Sequence, residues 1–411
     1  MKIWIINHYA IPPSLGGLVR HYYFSKYLQE RGHEVKIFTS SKIHNTDVNM
    51  ITDRSLYIEK EVDGIEYTFV RTSNYKGNKL GRVINMLQFP IRIWRVCKKF
   101  DKPDVIYTSS PDLFTAFSAV LLAKKMMLPK IMEVRDLWPE SIVEFSGMSR
   151  TNPIIRVLYV VEKWLYRTAD RLIFTMEGGK QYICDKGWNK DVSLEKIVHI
   201  NNGVDLKEYE TNKSEFVVQD EDLEGENIFK IVYVGSIRQA NNVGQLIKAV
   251  EKIRTSKNYS LLIYGDGNEK AKLEEYCFEH GLSHVKFKGK VEKKYIPYIL
   301  SKSNLNILNY KSTGLVKYGG SQNKLFEYLA SGVPVYSNVE MGYSIITENG
   351  CGIEKSVHDE DEYANILREF IDLNSDEYEK YRRNALKTIR EYDYHILTDK
   401  LEEILQEARI R

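Results

Sequence analysis

Lys324 and Glu327 stand three residues apart in GGSQNKLFEYLASGVPV (319–335), a segment opened by two glycines and closed by Gly332 and Pro334. On a helix that spacing puts both side chains on one face. Ser321 is expected as the N-cap, which places Lys324 at the third helical position and leaves the helix's free N–H groups pointing at a ligand. A diphosphate would meet there a partial positive charge and an ammonium. Glu327, an acceptor-only carboxylate, suits the two vicinal hydroxyls of a ribose. Lysine for phosphate and glutamate for ribose divide a nucleotide between them. The plain alternative is a surface i,i+3 ion pair worth about 0.2–0.5 kcal/mol.

Other residues invite chemistry with less force. In HYAIPPSLGGLVRHYYFSKYLQERGHEV (8–35) a helix is expected just after Gly16 and Gly17, where glycine lets backbone N–H groups approach an anion. An ordinary turn between strand and helix is the competing reading. His8 ends the first strand, where ligands of open sheets bind, whereas His33 sits in a turn and reads as structural. The histidines show no metal spacing, and Asp359-Glu360-Asp361 reads as solvated surface. GRVINMLQFPIRIWRVCKKFDK (81–102) mixes Arg82, Arg92, Arg95, Lys98, Lys99 and Lys102 with Trp94 and other apolar residues. Such a basic amphipathic surface suits anionic lipid headgroups. A helix packing one stripe on a sheet, with a solvated basic back, explains it equally.

These residues need elements to hold them. Short β-branched runs alternate with helical patterns, the mark of a parallel α/β sheet. Strands are expected at KIWIINHY, EVKIFTS, IEYTFVRT, DVIYTSS, KIMEVRD and RLIFTM, with helices over Leu18–Arg31 and Leu113–Met127. The acidic ETNKSEFVVQDEDLEGEN (210–227) is the linker candidate. The alternation then restarts with FKIVYVGS, SLLIYGDG, VKFKGKV, LNILNY and VPVYSNV as strands. Two doubly wound Rossmann-like units result, with ligands expected beyond the carboxyl ends of the strands, in a cleft between the units. The expected limits are 1–205 for the first unit, 206–394 for the second, and 395–411 for a terminal helix that can cross back to the first.

Composition fits this reading. The chain has 411 residues, 43% of them hydrophobic and 28% charged, enough for two globular domains. Four cysteines without a C-x-x-C suggest neither a disulfide framework nor a zinc site, and point to a reducing, cytoplasmic setting. The amino terminus reads as a strand rather than a signal peptide. No apolar run reaches the roughly 18–20 residues of a membrane span. Residues 1–200 hold 30 Lys+Arg against 21 Asp+Glu (+9) and residues 201–411 hold 29 against 35 (−6), which sum to the net +3. Only the basic half is expected to face an anionic partner. Nucleic acid, a membrane surface and a phosphorylated lipid all qualify on charge, but nothing resembles a nucleic-acid-binding pattern.

GGLVRHYYFSKYLQERGHEV, HINNGVD, IVYVGS, LLIYGDG and NKLFEYLASGVPV resemble, in order and spacing, the retaining glycosyltransferases of family 4 over nearly the whole chain. VRDLWPES (134–141) is most similar to bacterial transferases of O-antigen and capsule loci, some of the N-acetylfucosamine-transferase type. The resemblance implies the GT-B fold, an acceptor-binding first domain and a nucleotide-sugar-binding second one. It implies that Gly17 approaches the donor and that Glu327 is the second glutamate of an E-x7-E motif. Gly319 stands where the first would be. In VGSIRQANN (234–242), Ser236 and Asn241 occupy the family's Arg and Lys positions for the pyrophosphate. Lys324 is then the expected phosphate ligand, with Arg238 second. Gly289-Lys290-Val291 aligns with a loop touching the base, and Arg135 or Asp136 with an active-site histidine; a structural pairing of those two is the alternative. The implied reaction moves an N-acetylhexosamine, or its 6-deoxy form, from a UDP-sugar to a lipid-linked glycan at the inner face of the cytoplasmic membrane. It implies peripheral attachment there, no metal, no other cofactor and no nucleic acid. A UDP-sugar epimerase of the same fold and a non-catalytic membrane-docking protein are the alternatives.

Overall fold

The computed structural model describes residues 1–77, 80–225 and 227–410. They form two units, the first of Met1–Asn201 with Tyr394–Arg411 and the second of Asn202–Asp393.

Unit one runs β1 (Lys2–Ile6), α1 (Arg20–Glu30), β2 (Glu34–Ser40), β3 (Tyr57–Val62), β4 (Ile65–Val70), α2 (Leu80–Cys97), β5 (Val105–Ser109), α3 (Leu113–Met126), β6 (Lys130–Val134), α4 (Glu140–Ser146), α5 (Pro153–Thr168), β7 (Arg171–Phe174), α6 (Gly179–Asp185) and β8 (Ile197–His199). Among the described residues these strands make one sheet in the order β3-β4-β2-β1-β5-β6-β7-β8. All pairs are parallel except the β3–β4 hairpin. Period-two alternation splits β1 between two cores. Ile3 and Ile5 face α1, while Trp4 and Ile6 pack with Phe89, Ile93 and Ala119 from α2 and α3.

Inside the first core sits an ionised carboxylate. Glu133 on β6 is fully buried and accepts from Arg20 Nε (2.7 Å), Ser109 Oγ (2.7 Å) and Tyr107 Oη. Burial alone would raise its pKa, but the Arg20 guanidinium, aided by His21 and Arg135, holds it well below the usual carboxylate range. The remaining Arg20 nitrogens donate to the Ile200 carbonyl at 2.8 Å and to the Asn201 carbonyl. One buried side chain thus joins the start of α1, the middle of the sheet and the chain's exit from the unit.

Unit two contains α7 (Leu206–Glu215), α8 (Glu221–Glu224), β9 (Phe229–Val234), α9 (Val243–Lys252), β10 (Tyr259–Tyr264), α10 (Lys270–Glu279), β11 (Val285–Gly289), α11 (Ile296–Ser301), β12 (Leu305–Leu308), α12 (Asn323–Ala330), β13 (Val335–Ser337), α13 (Ile345–Glu348), β14 (Gly352–Glu354), α14 (Glu360–Asp372) and α15 (Ser375–Thr388). Its sheet, parallel throughout the described pairs, has the order β11-β10-β9-β12-β13-β14. Strand order therefore reverses between β9 and β12. The last helix, α16 (Tyr394–Ile410), belongs to unit one, where Tyr394 stacks on Tyr23 at 4.7 Å and Glu402 meets His33 at 2.8 Å.

The structure corrects the linker expected at 210–227. Asp205 caps α7 by accepting from the Glu208 amide at 2.9 Å, so the helix runs on through Glu215. Asp220 then caps α8 and pairs with Lys288 at 2.7 Å and Tyr264 at 3.0 Å. Asp220, Asp222 and Glu224 act as cap or ion-pair partners, a role that composition alone does not distinguish from solvated linker. Three strands also escaped the pattern. β3 is a half-exposed edge strand with Glu59, Lys60 and Glu61 in succession, and β8 and β14 span three residues each.

Two buried acids yield opposite expectations. Arg20→Ala leaves Glu133 charged and underpaired, and should cost about 3–5 kcal/mol in urea unfolding; a loss no larger than a surface substitution's contradicts this account. Glu162, fully buried on α5 with Tyr182 Oη at 2.8 Å, is raised by burial from 4.5 to about 8. The folded state keeps a proton that the unfolded chain releases. Its stabilisation is full below the unfolded pKa and lost as pH rises through 8. Glu162→Gln should therefore gain on wild type in thermal stability across that window; a constant difference between the two would count against it.

Candidate functional site

The reversal between β9 and β12 is where an open parallel sheet receives ligands. β9 ends at Val234, and the chain turns through Gly235 at φ +152°. Beside it the β10 loop turns through Gly265 at φ +159°. A Cβ on Gly265 would lie 1.7 Å from the Gly235 carbonyl oxygen, and one on Gly267 2.1 Å from the Ile237 oxygen. The glycines of VGS and YGDG are thus required by the close approach of two loops as well as by backbone conformation.

Lys324 fills the space that Gly235 leaves. A Cβ on Gly235 would come within 2.8 Å of the Lys324 Nζ. The ammonium donates to Tyr233 Oη at 3.3 Å and lies 4.5 Å from the centre of that ring. Tyr233 Oη in turn donates to the Ser236 carbonyl at 2.8 Å. Burial lowers the Lys324 pKa to about 8, opposed by the Glu327 carboxylate. A desolvated ammonium is a group that a neighbouring anion would stabilise.

Glu327 lies one turn further along α12, partly buried, with Lys293 Nζ at 3.5 Å. Burial, then the charge of Glu327, raises the pKa of the buried Tyr209 hydroxyl. Ser321 does not cap α12. The helix starts at Asn323 after Gln322, so Lys324 is its second residue. The Ser321 hydroxyl instead accepts from the Asn202 amide at 3.1 Å, and its carbonyl from Asn202 Nδ2 at 2.7 Å. That bracing assigns a task to the NNGVD run, and Asn202 and Tyr233 are the residues the sequence reading missed. A tyrosine inside a strand pattern carries no signal beyond core. Gly319 has φ +86°, a conformation in which a glutamate would be strained.

Other expected donor residues lie on neighbouring loops of unit two. Ser236 Oγ donates to Asn241 Oδ1 at 2.8 Å, and Arg238 is exposed at the end of that turn. Lys290 is exposed, while Val291 packs against the core that contains α12. Gly289 accepts from the Gly265 amide at 2.7 Å, so the β10 and β11 loops touch.

The remaining expected residues are in unit one. Gly16 is extended and Gly17 has open space around its α-carbon; α1 begins three residues later, at Arg20. The Arg135 amide donates to Ser110 Oγ at 3.2 Å, and its buried Nε has no hydrogen-bond partner among the described residues. Burial raises the Asp136 pKa. Among the described residues no ion pair joins Arg135 to Asp136, so the structural pairing considered for them is not formed. On α2, Arg82 approaches Tyr9 Oη at 3.4 Å, Arg92 donates to the Arg71 carbonyl and Trp94 donates to Ser118 Oγ at 2.6 Å. Arg95, Lys98 and Lys99 are exposed.

Residues 15–208 match the family model described as Glycosyltransferase Family 4, and residues 218–388 match Glycosyl transferases group 1. No curated protein sequence matches the chain. Among solved structures the chain is similar to sucrose-phosphate synthase from Thermosynechococcus elongatus, with 16% identity, TM-score 0.73, and 99% of this chain and 98% of that one covered. It is similar to HepE of Anabaena, solved with UDP and glucose, at 17% identity and TM-score 0.69 over 99% and 100% of the two chains. A UDP-forming trehalose-phosphate synthase from Burkholderia vietnamiensis matches at 11% identity and TM-score 0.73, again over 99% and 100%. Residues 15–208 are thus a family 4 glycosyltransferase domain and residues 218–388 a group 1 domain, and the chain is a glycosyltransferase of the GT-B fold.

Proposed function

We propose that this glycosyltransferase moves a sugar, an N-acetylhexosamine or its 6-deoxy form, from a UDP-sugar to a glycan carried on polyprenyl pyrophosphate, with retention at the anomeric carbon. The product belongs to a surface polysaccharide of the O-antigen or capsule kind. The enzyme works without metal at the inner face of the cytoplasmic membrane, attached peripherally. The observation that carries the donor reading is the Lys324 ammonium lodged against Gly235 at the switch point, with Glu327 one turn along the same helix. HepE, solved with UDP and glucose, and a UDP-forming synthase among the structural relatives support uracil as the base.

The chemistry asked of these groups is charge stabilisation. The bond between the anomeric carbon and the diphosphate oxygen breaks, and negative charge builds on the leaving group. Lys324 and the uncapped N–H groups at the start of α12 meet that charge. The acceptor hydroxyl attacks from the same face. Its proton passes to an oxygen of the departing diphosphate, which avoids a separate base and makes positioning the main contribution of the protein. Glu327 holds the ribose and fixes the donor's register. Arg135, Asp136 and Gly17 are assigned to the transferred sugar and the donor's phosphates.

Calorimetry with UDP, GDP and dTDP tests the site. UDP should bind selectively, and Glu327→Ala should weaken it roughly 10- to 100-fold, the worth of hydrogen bonds to a charged acceptor. Equal affinity in wild type and variant would remove Glu327 from the site, and failure to bind any nucleotide would overturn the donor reading. Release of UDP only when a lipid-linked acceptor is present separates transfer from epimerisation. Lys324 adds a pH signature. Its ammonium is present below about pH 8 and lost above it, so UDP affinity should fall as pH rises through 8. Lys324→Arg should bind without that inflection; an identical pH profile in both proteins would exclude Lys324 as the phosphate ligand.

A further inference from the structure

Three helices on one side of the unit-one sheet have surfaces that packing alone does not explain. α2, α3 and α5 lie side by side. The Trp94 indole on α2 donates to Ser118 on α3, and Phe117 on α3 meets Trp164 on α5 with ring centres 4.9 Å apart. On α2, Met86, Phe89, Ile93 and Val96 are buried. That stripe satisfies the helix's need for a core. A second stripe, Leu80, Ile84, Leu87 and Ile91, recurs at helical spacing and is exposed. α5 repeats the arrangement: Ile155, Leu158 and Leu165 point inward, while Ile154, Val157 and Val160 point out. Leu80, Ile91 and Val160 are 73%, 69% and 70% exposed, values expected of charged side chains rather than leucine, isoleucine and valine.

The charges on the same helices are of one sign. α2 carries Arg82, Arg92 and Arg95, α3 carries Lys124 and Lys125, and α5 carries Arg156, Lys163 and Arg167. The one acidic residue in the three helices is Glu162, which is fully buried. Lys163 is paired with Asp191 from outside them, at 2.6 Å. The charge these helices themselves offer to solvent is therefore entirely cationic.

We infer that the α2–α3–α5 face is a docking surface for an anionic lipid bilayer, with the second apolar stripes entering the headgroup boundary and the cations meeting lipid phosphates. The inference deepens the lipid-linked acceptor reading and rests on it for the enzyme's need to reach a membrane. Charge selects the occupant. A second copy presenting the same face would oppose cation to cation, whereas an anionic bilayer complements both the charge and the apolar stripes. Among the described residues no helix is long and apolar enough to cross a membrane.

The test is co-sedimentation of the full chain with phosphatidylcholine vesicles, with and without phosphatidylglycerol. Binding should require phosphatidylglycerol and weaken with salt. The double variant Ile91→Glu, Val157→Glu changes exposed positions only and should bind roughly tenfold less or weaker still. Phe278→Glu, which replaces an exposed phenylalanine of unit two, should bind as wild type does. Absence of binding to phosphatidylglycerol vesicles, or equal binding by the double variant, overturns the proposal. So does a wild-type dimer that the double variant dissociates, since the face would then belong to a second copy. UDP calorimetry on the same proteins keeps the two readings apart. Vesicle binding lost with UDP binding intact isolates the docking face, and vesicle binding without any UDP binding faults the donor site instead.

Discussion

A carboxylate that stays ionised in the middle of a β-sheet must be met by charge and hydrogen bonds, and unit one is organised around that demand. Glu133 draws Arg20 inward from the start of α1 and takes hydroxyl hydrogen bonds from Tyr107 and Ser109 on the neighbouring strand. Because Arg20 also holds the carbonyls of Ile200 and Asn201, the same guanidinium fixes where α1 begins and where the chain leaves the unit. A hydrophobic replacement could fill the volume, but it would not tie those three places together. The Gly16–Gly17 turn leads directly into this anchored helix.

Unit two relies on the opposite device, the absence of side chains. Gly235, Gly265 and Gly267 let the β9 and β10 loops approach until backbone meets backbone. The room left at Gly235 admits a lysine from α12, three strands later in the chain. Lys324 is costly there, since burial pulls its pKa down to about 8. An anion beside that ammonium would offset the cost of its burial. Asn202 holds the Gly319–Gln322 turn through Ser321, so the helix that presents Lys324 and Glu327 is braced at its start.

The excess positive charge of the amino-terminal half acquires a location in the fold. Part of it lies on three neighbouring helices whose only acid is buried, alongside apolar residues that the core does not use. In the second unit the acidic excess is partly spent on helix caps and ion pairs, as Asp205 and Asp220 show. One net charge of +3 therefore conceals two differently arranged surfaces.

The sequence by itself determined the alternation of strand and helix, the two-unit α/β plan and the helix that carries Lys324 and Glu327. Those features rest on periods of two and 3.6 residues and on glycine and proline punctuation, all local. EVKIFTS became β2 over the residues expected, and NKLFEYLA became α12. Where locality failed, so did the reading. β8 and β14 are three residues long, β3 is an edge strand with exposed charges, and the Ser321 hydroxyl meets Asn202, 119 positions away, instead of capping α12. Only tertiary structure decided that Glu133 would meet Arg20, 113 residues apart, or that Lys324 would occupy the space of Gly235. It alone decided which of two apolar stripes on α2 is core. Both have helical spacing, and a helix cannot specify from its own sequence which side the sheet will cover.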